Sequence, residues 1–143
     1  GKNGIGDKKA EGDNITPAGT WPMRKLYYRA DKLAPPETNL RISAIEQDDI
    51  WVDAPKDSRY NTLHKKPYDA SYENMWRDDD TYDLVIPLGY NDDPVSPDKG
   101  SAIFIHVARN NFTPTAGCVA LRRADLLDVL KSCGPDTTVI IEK

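Results

Sequence analysis

Apolar residues in this chain come in short bursts between polar and turn-forming stretches, a pattern that predicts strands more than helices. Thr20–Arg29 (TWPMRKLYYR) is β-branched and aromatic, is interrupted by Pro22, and reads as a strand. Leu40–Ile45 (LRISAI) and Thr81–Asn91 (TYDLVIPLGYN) read the same way. Ser101–Ala108 (SAIFIHVA) is a continuous apolar run of strand length, which predicts a strand buried on both faces. Thr137–Glu142 (TTVIIE) is a final strand. One segment has a helical period: in Ala124–Cys133, Leu126, Leu127 and Leu130 share a face, with Gly134 as the stop. The glycine-rich, charged opening GKNGIGDKKAEGDNITPAG reads as irregular loop, and ADKLAPPETN, NDDPVSPDKG and RNNFTPTAG as turns or loops. From Glu46 to Asp80 no period persists. Connections that long are rare without structure of their own, so short strands or turns that shape a cleft are expected there.

Composition supports a β-rich domain. The chain has 143 residues, enough for one domain with a real core, and no repeat or linker divides residues 1–143. Eleven prolines and nine glycines disfavour a helical bundle. The mean hydropathy is −0.65 and no apolar run approaches bilayer length. A net charge of −4, with cations interspersed among carboxylates, argues against nucleic acid as a partner. The chain starts at Gly1 with no signal-like segment, so it reads as a processed or excised part of a longer precursor.

Candidate chemistry concentrates at His106 and Cys118. Taken singly, a histidine at the end of a buried run is as well explained by core packing, and a free cysteine by burial. Together they suit nucleophilic catalysis, because an imidazole shifts a thiol toward thiolate. Twelve positions and one loop separate them. Gly117 precedes Cys118 and lets the backbone turn tightly, so the Gly117 and Cys118 amides could form an oxyanion hole. No acid neighbours His106, which leaves a backbone carbonyl to orient it. On this reading Cys118 is an accessible thiol of low pKa, and Cys133 a small buried hydrophobe at the helix end. A Cys118–Cys133 bridge, allowed by parity, would abolish nucleophilicity. No metal or cofactor site is implied by two cysteines, two histidines and no CxxC pair. His64 in NTLHKKP is expected on the surface, and Asp78-Asp79-Asp80 lacks the spacing of a calcium loop and is expected to be a solvated turn.

The segment GSAIFIHVARNNFTPTAGCVALRRADLL resembles the active-site signature of the L,D-transpeptidase (YkuD-like) family, in which a histidine precedes a Ser/Thr-x-Gly-Cys turn. Here that turn is Thr115-Ala116-Gly117-Cys118. Upstream, the segment GIGDKKAEGDNITPAGTW resembles the family's Gly-Asp, then Thr-Pro-x-Gly entry motif, the latter here Thr16-Pro17-Ala18-Gly19. TYDLVIPLGYNDDP and SYENMWRDDD are similar to a compact proteobacterial branch, and the blocks run in family order over residues 4–142. Three departures stand out. The His-to-Cys gap is short, which implies a trimmed loop over the cleft. Ala116 replaces a common second histidine. Ala120 stands where many members carry Arg or Asn, leaving Arg122 or Arg123 as the cation for a substrate carboxylate.

The resemblance implies a mainly β, sandwich- or barrel-like catalytic domain with one short helix after the cysteine. It also implies Cys118 as nucleophile and His106 as its base. Tyr90, Asn91, Trp76, Arg77 and Arg122 are then substrate-binding candidates. The implied activity is cross-linking of peptidoglycan stem peptides through a thioester. Carbapenem β-lactams would be its inhibitors, the bacterial periplasm or envelope its location, and a monomer its state. L,D-carboxypeptidase activity on the same scaffold and a non-catalytic wall-binding module are the alternatives. A papain-like peptidase is disfavoured because its cysteine precedes its histidine.

Overall fold

The computed structural model describes all residues 1–143. Its strands are β1 (Ile5–Gly6), β2 (Thr16–Pro17), β3 (Gly19–Pro22), β4 (Leu26–Tyr28), β5 (Ile42–Ala44) and β6 (Asp49–Val52). They continue with β7 (Leu63–Lys65), β8 (Tyr72–Asn74), β9 (Leu84–Pro87), β10 (Phe104–Val107), β11 (Val119–Leu121) and β12 (Thr138–Ile141). One helix, α1 (Arg123–Leu130), follows β11, and a single 3-10 turn spans Asn110–Phe112. The fold is β-rich with one short helix, as the patterning predicts.

A five-stranded mixed sheet, ordered β11-β10-β9-β4-β5, forms the centre. Beside it lie the antiparallel sheet β7-β6-β8 and the pairs β12-β3 and β1-β2. Strand alternation in the central sheet separates two cores. Leu84, Ile86, Ile103, Ile105 and Val107 face a cluster with Leu126 and Leu130 of α1. Val85 and Phe104 face the other way, onto Ile45, Met75 and Tyr82, with Trp51 packed alongside. β10 is therefore buried along its whole length, His106 included, because it is covered on both faces.

The differences from the sequence reading have local causes. The single strand expected over Thr20–Arg29 is two strands in different sheets, since Pro22 offers no amide to a ladder. β3 pairs with β12, while β4 runs between β5 and β9. The run from Ser101 shortens to Phe104–Val107 because Ala102 has a φ of +54°, outside strand geometry. The helix ends at Leu130, earlier than Cys133. The next residues close as turns, with Ser132 and Cys133 amides donating to Val129 and Leu130 carbonyls. The Glu46–Asp80 stretch does hold short strands, β6 to β8. His64 sits within β7, half-buried and stacked 5.6 Å from Tyr68, instead of in a surface loop. Asp78, Asp79 and Asp80 are exposed, as expected.

Candidate active site

β11 lies parallel to β10, with Ile105 opposite Val119 and His106 opposite Ala120. Cys118, just before β11, thereby comes level with Phe104. Residues two apart on a strand share a face, so Phe104 and His106 point to the same side of the sheet. His106 and Cys118 line one cleft of about 410 Å³, together with Glu73, Arg77, Thr81, Tyr82 and other residues.

The His106 ring is buried, and its Nδ1 lies 2.9 Å from the Val107 carbonyl. A carbonyl only accepts, so Nδ1 carries the proton and Nε2 keeps a lone pair. Burial pushes the His106 pKa down, opposed in part by the bond to Val107. The Tyr82 ring packs 5.7 Å from the imidazole, and its hydroxyl donates to Glu73. Burial raises the Glu73 carboxyl above its ordinary value, with the Tyr82 hydroxyl pulling the other way. Arg77 lies over Tyr82 at 5.1 Å and grips Asp79 in two hydrogen bonds of 2.8 and 2.7 Å. Thr81 Oγ1 is buried without a hydrogen-bond partner.

Cys118 Sγ donates to the Ala102 carbonyl at 3.2 Å and accepts from the Phe104 amide at 3.5 Å. Burial pushes the thiol up to about 12, against the lowering effect of that amide. That direction runs against a low-pKa thiol: the surroundings of Sγ favour the neutral form, while the residue itself is half-buried and lines the cleft. Desolvation disfavours the thiolate more than its neighbours support it. Both cysteines are free, and Cys133 is buried with its thiol donating to Val129 O at 3.2 Å.

Gly117 has a φ of +143°, and a Cβ there would lie 2.9 Å from the Ile15 carbonyl. The turn is pinned by Thr115, whose hydroxyl donates to Cys118 O at 2.7 Å and accepts from the Gly117 amide at 3.3 Å. The Cys118 amide donates to no protein acceptor. Of the two amides expected to form an oxyanion hole, one is free and one is held by a long bond.

The other expected substrate-binding residues separate. Arg77 lines the cleft. Trp76 lies under the Arg29 guanidinium, 3.6 Å away, and faces a shallow surface pocket. Tyr90 packs edge-on to Trp21 at 5.1 Å. Asn91 closes its own turn, bonding Ser96 and Gly100 carbonyls at 3.0 and 2.9 Å. Arg122 caps α1 outside the cleft, 3.8 Å from Asp125, and Arg123 is engaged by buried Asp83. None of these last five lines the cleft. The sequence reading missed Glu73, Thr81 and Tyr82, which reach the site through β8 and through the Val107–Thr81 backbone bond of 3.1 Å. No spacing along the chain signals either approach.

A thiol and an imidazole with a free Nε2 lining one cleft, beside a backbone amide without a protein partner, are the parts of covalent acyl transfer. The family model of the YkuD L,D-transpeptidase catalytic domain matches residues 1–141. The chain belongs to the YkuD family. No curated protein and no solved structure matches it. The family assigns L,D-transpeptidase-type activity on peptidoglycan stem peptides, and its domains are typically associated with the cell wall. No helix of this YkuD domain is long and apolar enough to cross a membrane.

Proposed function

We propose that residues 1–143 form one catalytic domain that cross-links peptidoglycan stem peptides through a Cys118 thioester. The observation that carries this reading is the His106 Nδ1 bond to Val107, which leaves Nε2 as a base in the cleft that holds the thiol. His106 Nε2 takes the S–H proton as Sγ attacks the carbonyl of an L-centre in the donor stem. The C–N bond then breaks, and the imidazolium returns that proton to the departing D-amino acid. In the second half an acceptor amine attacks the thioester and the C–S bond breaks. The amine's proton passes through His106 back to sulfur. The Cys118 amide donates to the oxyanion in both halves. Water in place of the amine gives the carboxypeptidase outcome. The domain acts as a monomer in the periplasm or envelope, and a carbapenem's strained carbonyl acylates the same sulfur.

Incubation with disaccharide-tetrapeptide and mass analysis of products tests the proposal. Dimers are the expected result; tripeptides alone would make the enzyme a carboxypeptidase, and unchanged substrate would leave only a binding module. Cys118→Ala is expected to abolish release of the D-amino acid. His106→Ala is expected to slow acylation by roughly 10²–10⁴-fold, the usual loss with a general acid–base group. Release by a folded Cys118→Ala protein would refute the nucleophile.

A further inference from the structure

The two backbone groups that touch Cys118 Sγ, the Ala102 carbonyl and the Phe104 amide, belong to a segment that a residue outside the cleft holds. Ala102 holds a left-handed φ of +54°, which costs a non-glycine residue on the order of 1 kcal/mol or more and persists only where neighbours impose it. Its amide donates to Asn61 Oδ1 at 3.0 Å. The same oxygen accepts from Trp51 Nε1 at 2.9 Å. The Trp51 ring stands edge-on to Phe104, with centroids 5.0 Å apart. Asn61 Nδ2 donates to the Tyr90 and Asn91 carbonyls at 3.1 and 2.8 Å. The backbone amide of Asn61 donates to Val52 O at 2.8 Å.

Asn61 is 6% exposed, and its carboxamide uses both donor hydrogens and both acceptor sites. A flipped amide would set donor against donor and acceptor against acceptor, so the side chain has one orientation. It does not line the cleft.

We infer that Asn61 is the positioning residue of the nucleophile: it clamps the Ala102–Phe104 backbone on which the Cys118 thiol is docked. This rests on Cys118 being the attacking group. It gives Tyr90 and Asn91 an indirect part, since their carbonyls anchor the clamp.

Two variants test it. Asn61→Gly removes all four side-chain bonds while tolerating the native φ of +61°. Turnover of tetrapeptide at saturation is expected to fall about tenfold or more, with KM within about twofold, because the nucleophile and not the substrate is displaced. Iodoacetamide alkylation of Cys118 is expected to slow several-fold, since the Phe104 amide that supports the thiolate moves away. Unfolding would instead speed alkylation and expose Cys133, whose labelling reports on the fold. Asn61→Asp keeps the oxygen that holds Ala102 and Trp51 but turns its second oxygen on the Tyr90 and Asn91 carbonyls, so it is expected to alkylate more slowly than wild type by a smaller factor than Asn61→Gly, which gives a readout whether or not Asn61→Gly folds. Alkylation of either folded variant at or above the wild-type rate overturns the inference. A wild-type enzyme inert to tetrapeptide refutes the transpeptidase reading alone, because alkylation still decides the role of Asn61.

Discussion

Burial sets the protonation of both reactive groups, raising the Cys118 thiol to about 12 and lowering His106. Both shifts favour the neutral pair, and on the proposed mechanism proton transfer then accompanies the attack. Alkylation of wild-type Cys118 is therefore expected to rise about tenfold per pH unit between pH 7 and 10, tracking the thiolate fraction. A plateau in that range would show that the thiol ionises early. The acid limb of acylation has the opposite origin. His106 must be neutral to accept a proton, and its lowered pKa places the fall in kcat/KM below the ordinary value of about 6.5. Residue types and their order made Cys118 and His106 legible in the sequence. Their ionisation was not, because it depends on how much of the fold closes around them.

Short elements fix the site, and one glycine decides how closely two of them approach. Gly117 brings the turn before β11 against Ile15, next to β2, at a φ that side chains rarely adopt. Gly117→Ala is expected to cost about 1–3 kcal/mol in urea denaturation and to shift the Cys118 amide, with slower acylation as the second readout. Stability within about 0.5 kcal/mol of wild type would mean the turn relaxes freely. The need for glycine here was readable from the motif. The breaking of Thr20–Arg29 into β3 and β4 was signalled by Pro22, but not the sheet each half would join. Pairing partners lie far away in sequence: β3 meets β12, and β4 meets β9.

Across the molecule, an ionic junction around buried Asp83, with half-exposed cations, ties the face with α1 to the segments around the cleft. Asp83 is fully buried and accepts from Lys32 at 2.9 Å and from Arg123 at the start of α1. Lys32 also reaches Asp80 at 3.1 Å. Removing one partner of a buried carboxylate leaves it undercompensated, at a cost of about 3–5 kcal/mol. Arg123→Met is expected near the low end, since Lys32 remains, and chemical denaturation measures it. An unchanged midpoint would show that Lys32 alone satisfies Asp83. A resemblance to family members suggested Arg123 for substrate, yet the fold commits it to this junction.

The sequence by itself determined the β-rich class, the short helix and the double-sided burial of β10, and it singled out His106 and Cys118, which the fold brings to one cleft. These follow from periodicity, turn chemistry and residue type, which are local properties. Only the tertiary structure decided what surrounds the thiol. Asn61, Glu73, Thr81 and Tyr82 reach the site or its support from segments remote in sequence, and Tyr90, Asn91, Trp76 and Arg122 are turned to other contacts. Burial, hydrogen-bond saturation and pKa are properties of the assembled environment, and no spacing along the chain encodes them.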